Sequence, residues 1–166
     1  MFAISEIYDL AIQIEKNGEA FYRDALKKFS HPALNTLLQW LAEEEIEHQK
    51  WFIQKKEALK NPSESVDLEN VGGKILENIL GDQTFSLNEA DLSKIDEVDA
   101  LLGLAIEFEK DTIVFFEMIR VLIDDNETLE QLNEIIEQEN HHVQTLQEHA
   151  KNWGEKDQSL TRTSRN

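Results

Sequence analysis

Two segments of the chain repeat each other at a distance of 94 positions, and this repeat limits the fold more than any other feature of the sequence. The segment AIQIEKNGEAFY, which begins at Ala11, aligns with AIEFEKDTIVFF, which begins at Ala105. The same shift places LAEEEIEHQKWF, from Leu41, over IIEQENHHVQTL, from Ile135. Because one offset without gaps relates both pairs, we expect two hairpins of one pattern with two-fold pseudo-symmetry.

Four segments alternate spacings of three and four between their core positions, which is typical of helices in a bundle. The predicted helices span residues 4–29, 31–60, 98–123 and 127–153. Ser30 is the expected N-cap of the second helix, because it precedes a proline that a first turn tolerates. The fold class is therefore all-α: a four-helix bundle of two repeated helical hairpins, forming one domain over residues 1–153.

The connection between the hairpins, residues 61–97, is long enough to form a crossover. Within it, VGGKILENIL is predicted to hold a short helix from Lys74 to Leu80. Residues 154–166 are polar and lack periodicity, so a disordered tail is expected there.

Composition excludes several classes of protein. The 166 residues include no cysteine, which excludes disulfides, thiolate nucleophiles, zinc ribbons and rubredoxin-type iron centres. The net charge of -18 disfavours nucleic acid and anionic membranes and attracts cations. No apolar run approaches the roughly 20 residues of a membrane span, and the N-terminus lacks the basic segment of a signal peptide. We expect a cytoplasmic protein that binds neither nucleic acid nor membrane.

Ionisable side chains interrupt the apolar core positions of all four predicted helices. They are Glu15, Glu45, His48, Glu109, Glu139 and His142. The three-residue spacing of each Glu–His pair places both side chains on one helix face. Four buried carboxylates without partners would each cost several kcal/mol. Two divalent cations would neutralise the four charges, and the neutral imidazoles would complete the ligand sets. Oxygen and imidazole ligands suit two iron ions, with manganese as the alternative metal.

One Glu from each of two helices, with Glu-x-x-His from each of the other two, is the ligand pattern of ferritin-like di-metal bundles. We expect Glu45 and Glu139 to bridge the metals, with Glu15 and Glu109 as terminal ligands. The alternative is a structural bundle with buried salt bridges. The glutamates outside the core positions are predicted to be solvated: Glu43, Glu44, Glu47, Glu134 and Glu137.

The segments AIQIEKNGEAFY, EIEH, AIEFEKD and ENHH resemble the rubrerythrin branch of the ferritin-like superfamily, over residues 3–153. The resemblance implies a non-haem di-iron oxidoreductase that protects against oxidative stress by reducing hydrogen peroxide or O2. It implies the same six metal ligands. Without a rubredoxin domain, electrons would come from an external donor such as a rubredoxin-type protein. A homodimer is expected. The alternative function is ferroxidase activity with iron sequestration.

Two further positions bear on the reaction that the resemblance implies. Tyr22 follows Glu15 by seven residues, so it either donates a hydrogen bond to a ligand, passes an electron, or packs in the core. With the carboxylates Glu15, Glu45, Glu109 and Glu139, it completes the expected catalytic set. Thr112 stands where rubrerythrins typically carry a further carboxylate, which leaves a more symmetric ligand set.

Overall fold

Four long helices account for most of the structure, a computed structural model that describes residues 2–66 and 92–163. The side chains of Ser93 and of residues 157–163 lie outside that description. The helices are α1 (Ile4–Lys28), α2 (Pro32–Glu57), α3 (Val98–Val121) and α4 (Asn126–Thr163). Helix α1 packs on α2 and α3 packs on α4, so each half of the repeat forms a hairpin. The hairpins meet through α1 with α3 and α2 with α4. The predicted all-α bundle is confirmed.

The core consists of the apolar positions that the periodicity predicts. Leu38, Leu41 and Phe52 of α2 are fully buried, as are Phe115 and Phe116 of α3. The rings of Phe52 and Phe116 lie 5.0 Å apart, which joins the two hairpins by aromatic packing. Apolar burial of this kind is the main favourable term in holding the helices together.

A short two-stranded sheet adds to the predicted architecture. Strand β1 (Phe2–Ala3) pairs antiparallel with β2 (Ser65–Val66), with Phe2 opposite Val66. The N–H of Ile4 also donates to the Glu64 carbonyl at 2.9 Å. The first N–H groups of a helix have no partner within it, so this segment satisfies groups that would otherwise need water.

The ends of the helices differ from the predictions at several points. His31, rather than Ser30, caps α2, because its Nδ1 accepts a hydrogen bond from the Leu34 N–H at 3.5 Å. Helices α2 and α3 end before the predicted residues 60 and 123. Asp125 caps α4 by accepting from the Thr128 N–H at 2.8 Å. Helix α4 runs to Thr163 in place of the predicted disordered tail.

The crossover is described only at its ends. A 3₁₀ turn, Leu92–Lys94, precedes α3. The predicted helix Lys74–Leu80 lies outside the described residues. Among the helices in the described ranges, none is both long and apolar enough to cross a membrane.

Candidate metal centre

Six ionisable side chains from all four helices lie buried at the middle of the bundle. Helix α1 contributes Glu15 and α3 contributes Glu109; α2 contributes Glu45 and His48, and α4 contributes Glu139 and His142. The four carboxylates and His142 are 0% exposed, and His48 is 3% exposed. The structure therefore brings together all the residues that the repeat and the core spacing singled out.

The six side chains form two overlapping groups. In each group the potential ligand atoms all lie within 4.8 Å of one another. The first group combines Glu15 and His48 with Glu45 and Glu139, and the second combines Glu109 and His142 with the same two carboxylates. Because Glu45 and Glu139 belong to both groups, the arrangement matches two adjacent cation sites that share two carboxylates.

Both histidines turn Nδ1 toward the carboxylates. His48 Nδ1 lies 2.8 Å from Glu139 Oε1 and 3.4 Å from Glu15 Oε2. His142 Nδ1 lies 2.9 Å from Glu139 Oε2 and 3.7 Å from Glu109 Oε1. An imidazole that binds a metal through Nδ1 has Nε2–H free to donate to an outer partner.

Several buried ligand atoms of the cluster have no hydrogen-bond partner. They are both carboxylate oxygens of Glu15 and of Glu45, Oε2 of Glu109 and Nε2 of His142. A buried polar atom without a partner is costly, and native proteins nearly always satisfy such atoms. Cations at the centre of the cluster would satisfy the inward-facing atoms. The residues therefore fit a two-iron site on the chemistry of the donor set.

The electrostatics of the metal-free cluster lead to the same conclusion. Burial, and then the charge of Glu139, raises the pKa of Glu15 well above its ordinary value. Burial, and then Glu15, does the same to the pKa of Glu45. Burial and Glu139 raise the pKa of Glu109 to about 7. Without metal, these carboxylates take up protons more readily, because their negative charges repel one another in the low-dielectric interior of the bundle.

The histidines of the metal-free cluster hold protons. Burial alone would lower the pKa of His48, but the carboxylate of Glu139 outweighs it and raises that pKa to about 9. The pKa of His142 is raised for the same reason, against burial, by hydrogen bonds to Glu109 and Glu139. Burial alone would raise the pKa of Glu139, but His48 outweighs it and lowers that pKa. In the metal-free cluster, protons on the two imidazoles therefore provide the positive charge that bound cations would otherwise supply.

Tyr22 donates a hydrogen bond from its buried hydroxyl to Glu109 Oε1. Of the interpretations open from the sequence, a hydrogen bond to a carboxylate of the cluster is present, and the carboxylate belongs to the other hairpin. Burial, and then the charge of Glu109, raises the pKa of Tyr22 well above its ordinary value. The phenol therefore stays protonated and remains a donor.

Gly18 allows α1 to approach the cluster. A Cβ built at this glycine would lie 2.6 Å from Glu45 Oε2 and 2.9 Å from Phe108 Cε1. Both distances are shorter than any real contact of a Cβ atom. A side chain at position 18 therefore requires the Glu45 carboxylate and the Phe108 ring to move, or α1 to retreat.

One contact of the cluster was missed by the sequence analysis. Glu44 was predicted to be solvated, but its side chain is 32% exposed and its Oε2 lies 3.9 Å from His142 Nε2. Trp40 lies edge-on to the same imidazole, with ring centroids 5.1 Å apart. Together with Gln138 and His141, these residues line a surface pocket of about 370 Å³ that reaches His142. No pattern in the sequence gives this contact, because it depends on how the two hairpins dock.

The remaining predicted positions lie outside the cluster. Glu43, Glu47, Glu134 and Glu137 are exposed, as predicted. Thr112 is buried, and its Oγ1 donates to the Phe108 carbonyl at 2.9 Å, so its hydroxyl finds a hydrogen-bond partner within α3.

Comparisons with known proteins agree with this geometry. The family model described as Rubrerythrin matches residues 6–150. Among curated proteins, none matches the chain significantly. A crystal structure from Thermotoga maritima, described as that of a ferritin-like diiron-carboxylate protein, superposes with a TM-score of 0.68 at 21% identity, covering 90% of this chain and 95% of that one. That likeness shows the fold, and the family model, which covers most of the bundle, shows that the chain belongs to the rubrerythrin family.

Proposed function

We propose that the protein is a di-iron oxidoreductase that reduces hydrogen peroxide or O2 with electrons from an external donor. The observation that carries the proposal is the pair of buried ligand groups that share Glu45 and Glu139. A single cation would need only one group, whereas two iron ions held side by side would together supply the two electrons that reduce peroxide or O2. Membership of the rubrerythrin family supports this choice.

Each residue of the cluster takes a defined role in this proposal. Glu45 and Glu139 would be shared by the two sites, and Glu15 with His48 would complete one while Glu109 with His142 would complete the other. Two ferrous ions, if bound, would supply two electrons, which together with two protons convert hydrogen peroxide to two waters or O2 to hydrogen peroxide, and would act as Lewis acids toward the oxygen products. The four carboxylates balance the four positive charges, so that the loaded core is neutral.

Tyr22 and the surface pocket support the reaction from outside the ligand set. The Tyr22 hydroxyl holds a proton against Glu109 Oε1, and we propose that this proton is available to the oxygen products. The surface pocket is lined in part by His142, which belongs to the cluster. Residues 1–166 include no cysteine and so cannot form a rubredoxin-type centre, and we propose that the electrons come from an external donor. The cytoplasmic location, the role in oxidative stress and the homodimer remain predictions.

Anaerobic loading with Fe²⁺ followed by stoichiometric peroxide tests the proposal. We expect two irons per chain, oxidation of both by one peroxide, and repeated peroxide consumption when a chemical reductant is present, with no further iron retained. Continued uptake of iron beyond two per chain would instead identify iron sequestration and overturn the proposal.

Glu45→Gln, with Glu43→Gln as the matched control, connects the reaction to the cluster. Glu45 is fully buried and shared by both groups, whereas Glu43 is exposed and accepts a hydrogen bond from Gln39 at 3.2 Å. The first variant should lose bound iron and peroxide reduction, and the second should keep both. Equal activity in the two variants would place the chemistry elsewhere.

A further inference from the structure

The two histidines of the cluster differ in what lies behind them. Each presents Nδ1 to the carboxylates, so each has Nε2 directed away from the cluster. His48 Nε2 lies 2.9 Å from Gln138 Oε1, a neutral amide oxygen. His142 Nε2 is buried, has no hydrogen-bond partner, and lies 3.9 Å from the Glu44 carboxylate.

The two outer partners are equivalent positions of the repeat. Glu44 precedes Glu45, and Gln138 precedes Glu139, so the 94-residue shift that relates the hairpins also relates these two residues. Each reaches across to the histidine of the other hairpin. The pseudo-symmetry therefore holds for the positions of the two residues but is broken in charge, because one partner is a carboxylate and the other is an amide.

We propose that Glu44 is a positioning residue that makes the two metal sites unequal, so that the site with His142 and Glu109 binds its ion more tightly than the site with His48 and Glu15. This inference rests on the proposed di-iron function, because it assumes that both sites are occupied. Gln138 orients His48 without adding charge.

The physical reason lies in the hydrogen bond that a metal-bound imidazole donates. Metal binding at Nδ1 makes the Nε2–H a stronger donor, and a carboxylate acceptor then forms a charge-assisted bond, roughly twice as strong as a bond to a neutral amide. Carboxylate–histidine–metal arrangements fix the ring and raise its basicity, and removing the outer partner typically weakens metal binding by about 10–100-fold.

The position of Glu44 permits this bond to form. Its carboxylate is at the wall of the surface pocket, and its side chain is 32% exposed. Closing the gap to hydrogen-bond distance needs a movement of roughly 1 Å, which an exposed carboxylate can make. The charge of Glu44 also adds attraction for a cation beyond His142.

Titration of the metal-free protein with Co²⁺ tests the inference without any catalytic readout. Visible absorption gives the two stepwise affinities. Proton NMR in water gives one paramagnetically shifted, exchangeable imidazole N–H for each histidine that binds Co²⁺. In the natural protein we expect two Co²⁺ affinities that differ by about 10–100-fold, and we expect one shifted imidazole N–H signal to appear before the other during the titration.

Three variants and one control test whether Glu44 causes the difference between the two Co²⁺ affinities. Glu44→Gln should bring the two affinities within a few-fold of each other and shift the first N–H signal. Gln138→Glu should tighten the second step, and the double exchange Glu44→Gln with Gln138→Glu should reverse the order in which the signals appear. Glu137→Gln removes the same charge from an exposed residue of the same pocket and should change neither affinity.

The outcomes separate this inference from the proposed function. The inference alone would be overturned if the natural protein bound two Co²⁺ with equal affinities. It would also be overturned if Glu44→Gln left the ratio of the two affinities unchanged, which would mean that water in the pocket accepts the His142 Nε2–H. Failure to bind two ions would overturn both. An unchanged melting temperature of metal-free Glu44→Gln shows that the fold is intact, and rescue of the unequal affinities by Glu44→Asp would support the carboxylate role.

Discussion

Replacement of Gly18 by alanine tests whether α1 must approach the metal cluster as closely as the structure shows. The added Cβ would lie 2.6 Å from Glu45 Oε2 and 2.9 Å from Phe108 Cε1. Van der Waals contact needs about 3.5 Å, so the carboxylate must move by roughly 1 Å or α1 must retreat. Because Glu45 and Phe108 are both buried, neither has solvent into which to move.

The expected magnitude follows from two opposing terms. Forcing an extra carbon into a packed core costs about 1–3 kcal/mol. Replacing glycine by alanine inside a helix contributes about 1 kcal/mol in the other direction. Gly18→Ala should therefore lower the unfolding free energy of the metal-free protein by about 0–2 kcal/mol. It should also weaken binding of both metals, because Glu45 belongs to both ligand groups.

Gly103→Ala is the matched control for this prediction. Gly103 lies inside α3 and is exposed, and a Cβ added there would have no atom within 4 Å. It should raise stability by up to about 1 kcal/mol through helix propensity alone. Urea denaturation of both variants gives the difference, expected at about 1–3 kcal/mol. If Gly18→Ala matched Gly103→Ala in stability and bound two metals normally, the close approach would not matter.

Three further predictions concern protons, the phenol and the metal. His48, whose pKa is about 9, is protonated at neutral pH without metal and must lose that proton to bind. Metal affinity should therefore rise with pH up to that value, by about tenfold per unit for this one proton, and calorimetry in buffers of different ionisation enthalpy should detect its release. Tyr22→Phe removes the donor to Glu109 and should lower stability by about 1–3 kcal/mol in urea denaturation. Metal at 100 times its dissociation constant should stabilise the fold by about 2.7 kcal/mol per site, a gain that a chelator reverses in a thermal melt; an unchanged melting temperature would contradict the metal assignment.

The cluster could be predicted because two independent patterns coincide on it. Core periodicity alone would leave Glu45 or His48 as one more charged residue of an acidic chain. The repeat places Glu139 and His142 at the equivalent positions, and burial then follows from the packing of amphipathic helices. The same reasoning did not identify Glu44, because periodicity assigns a residue to one face of its helix but does not show which other helix its side chain contacts. Its contact with His142 depends on how the two hairpins dock.

Helix ends were predicted less well, for reasons that lie in tertiary contacts and propensity. Serine is the better N-cap by propensity, but His31 takes that place, and its ring also packs on Trp153 of α4, with centroids 4.6 Å apart. No local pattern reveals a partner so far along the chain. The segment after Trp153 was predicted to be disordered because it is polar and lacks periodicity, yet its glutamate, lysine, glutamine and leucine residues favour helix, and α4 continues to Thr163.

Neither hairpin can hold a complete ligand group by itself. The group around His48 takes Glu139 from the second hairpin, and the group around His142 takes Glu45 from the first. An ion that enters either group therefore ties the two halves of the chain together, much as a cross-link would. The protein should therefore resist proteolysis for longer when iron is available. One hairpin can separate from the other only after the ion that both hairpins bind has been released.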